Sequence, residues 1–418
     1  MPPVVPSDSW TNRFANVRPG ASWLLGFVVA TAFMVRLAAT SVGSGRFDDP
    51  DNYLPLARSI AAGDGLTLQG RLTAYRPPLY PLILAPMVPL AGGRLIAAVA
   101  GLHILLGAAT AGLTIRAAER LGLGTFRATA AGLIVACDPV LVWQARFVMT
   151  ETLAAFLLIA SLSAFARPGR WGPLLGGGLL GLAALCRPSA LPGAGLAALA
   201  GLVVGPGGAR MRLRRAAEIV VGVALVLSPW AARNVRALGE PVWTTTHGGY
   251  TLALANNEVY YRDVLEGPPG RVWTGRDQWL WWDSVNRRTA GMTEPEADRL
   301  LRDSVVELAR NRPRTFALAC VSRLATFWSV APAAGVYGRA TRGATALWTI
   351  PLWAALALGA FHPRFRRWPG VAVLAAIVGL SAVHTLYWTD MRMRAPIVPA
   401  IALVAASVEW GRKRINEP

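Results

Sequence analysis

Lysine, cysteine and histidine are scarce in this chain of 418 residues. Lys413 is the one lysine, and every other basic residue is arginine, which together with abundant alanine and glycine is typical of a G+C-rich genome. The three cysteines, Cys137, Cys186 and Cys320, have neither zinc-site nor disulfide spacing. The four histidines include no pair at i, i+4. The sequence therefore indicates neither a structural metal site nor a disulfide framework.

Charged residues are also few, at 16% of the chain against 54% hydrophobic residues arranged in repeated apolar runs. That balance is typical of a polytopic membrane protein. The net charge of +19 does not indicate nucleic-acid binding, because the arginines cluster in short loops between apolar runs, as the positive-inside rule describes. We expect no cleavable signal peptide, since the first apolar run, residues 22–42, is long enough to remain as an anchor.

The apolar runs predict an all-α polytopic membrane protein with about 10–11 transmembrane helices and juxtamembrane helices in its first outer loop. The count depends on residues 314–331, which we expect to lie at the interface rather than to cross. The other predicted spans are 94–115, 128–143, 151–166, 171–186, 188–205, 216–232, 345–361, 371–389 and 395–411. The predicted regions are a cytoplasmic tail (1–20), an N-terminal transmembrane module (21–232) with an outer loop at 43–93, an outer region (233–312), C-terminal transmembrane helices (313–411) and a second cytoplasmic tail (412–418).

Five short polar motifs share one face in this topology. The arginine-rich loops are assigned to the cytoplasm, and the alternating spans then place the motifs outside. Charged groups near a bilayer are expensive, so their convergence at one face indicates a functional site. The motifs are residues 48–53, Asp138-Pro139 with Glu151, Arg187-Pro188, residues 229–234 and residues 392–394.

Asp49 and Asp51 are the candidate catalytic residues. A hydroxyl is a weak nucleophile that needs a positioned base, and partial burial raises the pKa of a carboxylate toward a useful value. The alternative is that these acids only cap the helix that follows, at residues 54–62. We favour Asp49 as the base, while the choice between Asp49 and Asp51 stays open.

A second acidic group and a set of outer arginines complete the candidate site. Asp138 and Glu151 bracket a short outer loop, where they line the same cavity or simply end and begin helices. Arginine matches phosphate oxygens and stays protonated, so the outer arginines suit a departing lipid phosphate, although single arginines also snorkel to headgroups. The predicted phosphate-binding residues are Arg76, Arg187, Arg233, Arg392 and Arg394.

The ordered set of motifs resembles the GT-C superfamily of membrane glycosyltransferases across residues 22–411. Within it, the sequence is similar to the bacterial branch of protein O-mannosyltransferases and aminoarabinose–lipid A transferases. The matching segments are Asp49 to Arg58, Tyr75 to Pro81, Asp138-Pro139, Thr150 to Leu153, Arg187-Pro188, Pro229 to Asn234, Gly248 to Tyr250, Asn256-Asn257 and Arg392 to Pro396. Many relatives have Asp-Glu in the first loop, whereas Pro50 follows Asp49 here.

This resemblance implies an inverting transferase. The donor would be a polyprenyl-phosphate monosaccharide, and Asp49 would deprotonate the acceptor hydroxyl. Arg392, Arg394 or Arg233 would stabilise the leaving phosphate. The residues implied to line the substrates are Tyr53, Tyr80, Asn234, Asn256 and Asn257. No cofactor is required, and a divalent metal held by Asp138 and Glu151 stays an open alternative.

The sequence therefore predicts a glycosyltransferase of the cell membrane that acts on its periplasmic or exterior face. Its partners would be the bilayer, the lipid-linked sugar and an envelope acceptor, which is a protein, a lipid or a polysaccharide. We expect no separate C-terminal soluble domain, so acceptor recognition falls to residues 233–312 or to a partner. The alternatives are a lipid-linked oligosaccharide polymerase or ligase, a transporter or flippase of such lipids, and a non-catalytic member of the fold.

Overall fold

The computed structural model describes residues 20–41, 47–267, 273 and 276–409. The predicted cytoplasmic tails, residues 1–20 and 412–418, lie outside these ranges except for Gly20. Of the residues in these ranges, 75% are helical. Its β structure in the described ranges is one antiparallel pair, β1 (Thr67–Leu68) and β2 (Arg71–Leu72), in which Thr67 faces Leu72. The all-α prediction is confirmed.

The helices are numbered in chain order. The first ten are α1 (Gly20–Ser41), α2 (Tyr53–Ala61), α3 (Leu79–Leu84), α4 (Met87–Ala91), α5 (Leu95–Arg120), α6 (Thr125–Cys137), α7 (Pro139–Gln144), α8 (Glu151–Phe165), α9 (Gly172–Cys186) and α10 (Leu191–Val203). They are followed by α11 (Ala209–Leu238), α12 (Gly248–Leu254), α13 (Glu258–Tyr260), α14 (Arg276–Arg288), α15 (Glu294–Asn311), α16 (Pro313–Phe327), α17 (Arg339–Ala360), α18 (Val371–Leu386) and α19 (Val398–Ala405). Short 3₁₀ segments at Gly92–Arg94, Pro188–Ala190, Pro363–Arg366 and Met391–Ile397 and a π-turn at Tyr261–Leu265 complete the helical structure.

Four stretches of the described chain are long and apolar enough to cross a membrane. They are Ser22–Ser41, Met87–Arg120, Ala209–Leu238 and Arg339–Ala360. A further five apolar helices are 10–17 residues long. These five are α6, α8, α9, α18 and the segment Pro188–Val203 that contains α10. The chain is thus an all-α polytopic membrane protein, and its first outer loop carries the predicted short helices α2 and α3.

Two predicted spans differ from the helices observed. The run 128–143 is broken at Asp138, because Pro139 has no N–H to donate and the Asp138 side chain caps the new helix instead. The run 395–411 begins as a 3₁₀ segment, and α19 ends at Ala405. Helix α16 covers most of 314–331, and its interfacial placement stays a prediction.

Close packing of α9 and α11 depends on small residues. A Cβ atom on Gly177 would lie 2.3 Å from the Ile219 carbonyl oxygen, and one on Gly222 would lie 2.4 Å from the Leu174 carbonyl oxygen. Helices α9 and α11 therefore approach to backbone contact, which only glycine permits.

The outer region packs its own aromatic core and is fastened to the first outer loop. Tyr261 and Trp281 are buried in that core. At the first turn of α15, the Glu294 carboxylate accepts hydrogen bonds from the Ala74 N–H at 2.9 Å and the Thr246 hydroxyl at 2.8 Å. These hydrogen bonds hold the loop that carries Asp49 and Arg76 in one position over the helix ends.

Candidate functional site

Asp49 lies at the start of α2 and caps it. Its two carboxylate oxygens accept the backbone N–H groups of Tyr53 at 2.8 Å and Leu54 at 2.7 Å. Burial raises the pKa of Asp49, and these two hydrogen bonds partly oppose that rise. Asp48, directly before it, is exposed. The capping interpretation describes the contacts of Asp49 correctly, and the carboxylate is also held in one orientation beside Asp51.

Asp51 forms an ion pair with Arg76, with 2.9 Å between the carboxylate Oδ1 and the guanidinium Nη2. Both side chains are mostly buried, with the Asp51 side chain 26% exposed and the Arg76 side chain 18% exposed. Arg76 follows the β1–β2 hairpin and precedes Pro77, whose ring restricts the arginine backbone to an extended conformation. The pair therefore joins the start of the first outer loop to the segment that follows the hairpin.

Glu151 and Arg187 form a second ion pair where α8 begins and α9 ends. The Nη1 and Oε1 atoms are 3.0 Å apart, and the Glu151 side chain is fully buried. The guanidinium N–H of Arg187 does not point at the Glu151 oxygen. The Glu151 carboxylate therefore accepts no hydrogen bond of good geometry from the described residues. Arg187 also donates to the Thr150 hydroxyl at 3.0 Å and to Met393 Sδ at 3.0 Å. The buried negative charge is thus compensated mainly by one guanidinium.

Arg392 and Asp390 form a third charged pair, on the loop between α18 and α19. The guanidinium Nε lies 3.2 Å from Asp390 Oδ2, and the Arg392 N–H donates to Asp390 Oδ1 at 2.9 Å. Arg392 also donates to Met149 Sδ at 3.2 Å. Burial raises the pKa of Asp390, Arg392 lowers it, and the more distant Glu151 and Arg187 add smaller opposite effects. The charges of Glu151 and Arg187 therefore act on the pair formed by Asp390 and Arg392.

Backbone hydrogen bonds join the first outer loop to the loop between α7 and α8. The Phe47 N–H donates to the Arg146 carbonyl at 2.5 Å, and the Val148 N–H donates to the Asp48 carbonyl at 3.1 Å. The three charged pairs consequently lie at one end of the bundle. We call this group the polar cluster, and its members are Asp49, Asp51, Arg76, Glu151, Arg187, Asp390 and Arg392.

Tyr53 and Tyr80 lie beneath the first outer loop. Their rings meet edge to face with 5.2 Å between centroids, and the Tyr80 hydroxyl lies 2.8 Å from His103 Nε2. Burial raises the pKa of Tyr53, Asp51 raises it further, and Arg76 and Arg187 lower it, which places both guanidinium groups near this hydroxyl. The two predicted lining residues thus adjoin the polar cluster.

Asp138 and Arg394 lie outside the polar cluster and make structural contacts. Asp138 accepts the Val140 and Leu141 N–H groups at 3.0 Å and the Trp348 indole N–H at 3.3 Å. Arg394 donates to two backbone carbonyls at the end of α16, those of residues 327 and 329. Its guanidinium lies 4.7 Å from the ring centre of Trp353. Both side chains are buried and hold α16 and α17 against the bundle.

Arg233 and Asn234 support the first outer loop instead of joining the polar cluster. Arg233 donates to the backbone carbonyls of Leu66 at 3.1 Å and Thr73 at 2.8 Å. It also donates to the Asn234 side chain, whose amide donates to the Val242 carbonyl. These contacts use the donors that a phosphate would need.

Asn256 and Asn257 order the outer region. The Asn256 amide donates to the Leu386 carbonyl at 2.8 Å and so ties the outer region to the end of α18. Asn257 caps α13 by accepting the Tyr260 N–H at 2.8 Å.

Among the described residues no group of three His, Cys, Asp or Glu side chains lies together, and Asp138 and Glu151 have separate partners.

Three residues of the site were not identified from the sequence. Asp390 directly precedes the predicted arginine motif, and an acid so close to two arginines was a usable signal. Met149 and Met393 accept from Arg392 and Arg187 through sulfur. A methionine in an apolar run has no pattern that distinguishes such a contact from ordinary packing.

A narrow apolar recess adjoins Arg187. Its walls come from α8, α9, α10 and α18, with Leu158, Leu180 and Leu380 among the lining residues. Arg187 also lines this recess, whose volume of about 30 Å³ has room for about one water molecule. Charged and apolar surroundings therefore meet at this arginine.

The buried pair makes a prediction about stability. Arg187→Met should lower the free energy of unfolding by about 3–5 kcal/mol, because it leaves the Glu151 carboxylate buried without compensation. Arg187→Met combined with Glu151→Leu should recover most of that loss. Thermal melting of the purified protein in detergent measures both.

The matched control is Arg299→Met, which removes an exposed pair with Glu240 and should cost less than about 1 kcal/mol. If Arg187→Met melts like the wild type, or if the double variant melts no higher than the single one, the pair does not stabilise the helix junction.

No family model matches the sequence, and no curated protein sequence matches it. By structure, the chain is similar to the oligosaccharyltransferase of Archaeoglobus fulgidus tethered to an acceptor peptide through a disulfide bond. The TM-score is 0.51 at 15% identity, and the match covers 96% of this chain and 50% of that one. The apo form gives 0.51 at 17%, covering 95% and 51%. ArnT from Cupriavidus metallidurans, bound to undecaprenyl phosphate, gives 0.43 at 17%, covering 93% and 77%.

The chain spans about half the length of the archaeal oligosaccharyltransferase. Its match to that structure nevertheless extends over nearly all of its own length. At these identities the similarity concerns the fold alone. The predicted all-α architecture is confirmed, and the chain shares the fold of the archaeal oligosaccharyltransferase.

Proposed function

We propose that this protein is an inverting membrane glycosyltransferase that takes a monosaccharide from a polyprenyl-phosphate donor. The acceptor is a hydroxyl group of an envelope protein, lipid or glycan. The reaction takes place at the polar cluster, which faces the periplasm or the exterior. The GT-C fold makes glycosyl transfer the first reaction class to consider, and the charges and recess at this site support the finer assignment.

The observation that carries this proposal is the position of Arg187. Its guanidinium belongs to the polar cluster, and its side chain also lines the small apolar recess between α8, α9, α10 and α18. A polyprenyl phosphate combines an apolar chain with a charged head, and such a ligand suits a guanidinium that lies beside apolar helices. Arg392, which lies near the same carboxylates, supplies a second guanidinium for phosphate oxygens.

Asp49 is the proposed base. The pKa of its carboxylate is raised by burial, which makes it a better proton acceptor than a free aspartate. Asp51 is instead paired with Arg76 at 2.9 Å, so its carboxylate is already engaged with a guanidinium. The Tyr53 and Leu54 N–H groups hold Asp49 in place while one lone pair on each oxygen stays free.

The transfer step is a single displacement. The acceptor hydroxyl gives its proton to Asp49 as its oxygen bonds to the anomeric carbon. The bond from that carbon to the donor phosphate oxygen breaks, and its electron pair stays on the phosphate. Arg187 and Arg392 stabilise this charge, and the products are the inverted glycoside, polyprenyl phosphate and a protonated Asp49.

The outer region is proposed to contribute the acceptor side of the site. It is fastened to the first outer loop through Glu294 and to the end of α18 through Asn256. Residues 233–312 therefore lie beside the polar cluster rather than apart from it. No phosphate contact is assigned to Arg233 or Arg394, because both guanidinium groups are held against backbone carbonyls.

Asp49→Asn should abolish transfer, with a loss of about 10²–10⁴-fold, because the base is removed and the shape is kept. Cells that lack the gene are complemented with the wild type or with this variant, and mass spectrometry quantifies polyprenyl-phosphate sugars and envelope glycans. The variant should match the deletion, with one lipid-linked sugar accumulating and one glycan lost. The matched control is Asp48→Asn, which changes an exposed neighbouring acid and should behave as wild type.

Other results would contradict parts of the proposal. If Asp51→Asn abolishes transfer and Asp49→Asn does not, the base is Asp51. If neither variant changes the glycans while the deletion does, the protein acts as a transporter or scaffold. Accumulation of a diphosphate-linked oligosaccharide would identify a polymerase or ligase instead.

The raised pKa of Asp49 also predicts the pH dependence of transfer. The base acts when deprotonated, so the rate falls as the pH drops through its pKa. That acid limb should have an apparent pKa above 3.8, the ordinary value of an aspartate. Initial rates of the purified protein with the donor and acceptor identified above measure it. An acid limb at or below 3.8 would argue against Asp49 as the base.

A further inference from the structure

A recess of about 840 Å³ lies at the end of the bundle opposite the polar cluster. Helix α5 starts near the first outer loop and reaches the recess at Arg120, the last of its 26 residues, and a helix of this length spans about 39 Å. Helix α18 also has one end at each site, since Gly370 before it lines the recess and Asp390 after it belongs to the polar cluster. The recess is therefore separate from the proposed active site.

The recess is electropositive. Arg120, Arg364 and Arg367 line it, and the one carboxylate in its wall, Glu409, is paired with Arg127 at 2.9 Å. Like charges collected in one recess repel each other, and an anion that enters between them relieves that repulsion.

The lining histidine adds no positive charge of its own to the recess. Burial and the neighbouring Arg364 lower the pKa of His362, so the imidazole is neutral at pH 7. The three arginines consequently determine the sign of the recess.

Two of the arginines are already engaged, whereas the third is available. Arg120 donates to the Ser163 hydroxyl at 2.6 Å, and Arg364 donates to the Leu121 carbonyl at 3.0 Å. Within the described ranges, Arg367 makes no hydrogen bond or ion pair with a side chain or carbonyl. The adjacent Arg366 is exposed and does not line the recess.

The apolar part of the wall continues onto the outer surface of the bundle. Leu358 and Phe361, at the end of the spanning helix α17, line the recess and are 60% and 71% exposed. Side chains this exposed on a helix of spanning length face acyl chains in a membrane. The recess therefore opens toward the bilayer at headgroup depth, which a soluble anion would not exploit.

We infer that this recess binds the phosphate headgroup of an anionic membrane phospholipid, with Arg367 contacting the phosphate and Phe361 contacting the acyl chains. The bound lipid fills the gap between the ends of α5 and α17 and the start of α18. This inference concerns the opposite end of the molecule from the active site and does not depend on the proposed reaction.

The test uses full-length protein in detergent. Retained dioleoyl phosphatidylglycerol is quantified by native mass spectrometry for the wild type, Arg367→Gln and Arg366→Gln, with dioleoyl phosphatidylcholine as the zwitterionic comparison. We expect Arg367→Gln to weaken phosphatidylglycerol binding about 5–10-fold, as for loss of one charged phosphate contact. Arg366→Gln, with the same change in charge one residue away, should bind as the wild type does.

A second pair of measurements separates a lipid from a free phosphate ligand. Phe361→Ser should reduce phosphatidylglycerol binding, and inorganic pyrophosphate should neither displace the lipid nor raise the melting temperature. The inference is overturned if Arg367→Gln and Arg366→Gln bind equally, if phosphatidylcholine binds as tightly as phosphatidylglycerol, or if pyrophosphate displaces the lipid.

Discussion

The ion pair between Glu151 and Arg187 is the constraint on which the site depends. A fully buried carboxylate is unfavourable unless a cation lies beside it, so α8 cannot begin where it does unless α9 ends at Arg187. The same arginine contacts Met393 and thereby fixes the segment that carries Arg392. One electrostatic requirement thus aligns three separate parts of the chain at one end of the bundle.

The arginines at this end differ in what they bind, although they look alike in the sequence. Arg233 and Arg394 donate to backbone carbonyls. Arg233 thereby holds the first outer loop in place, and Arg394 holds α16 in place. Arg187 and Arg392 contact carboxylates and methionine sulfur, and these weaker sulfur partners are easily exchanged for phosphate oxygens. Arg76 fits neither group fully. It pairs with a carboxylate, but that carboxylate, Asp51, is itself a candidate base. The proposed phosphate site follows this division.

The architecture, and the meeting of acids and arginines at one end of the bundle, were predictable from sequence, because both depend on patterns that a membrane imposes. Long apolar runs require helices, and charged residues at span ends are costly unless they are used. The partners of individual side chains were not predictable. Arg233 binds the carbonyls of residues 66 and 73, and no local pattern links positions so far apart. For Asp138 two interpretations were open, a place in the cavity with Glu151 or a helix end, and its side chain caps α7 beside Pro139.

The most direct test of the central claim is an experimental structure of the protein with a polyprenyl phosphate. The account predicts that phosphate oxygens lie within hydrogen-bonding distance of Arg187 or Arg392. The isoprenoid chain should lie against the apolar surface of the helices beside Arg187. A phosphate bound away from both arginines would contradict the account.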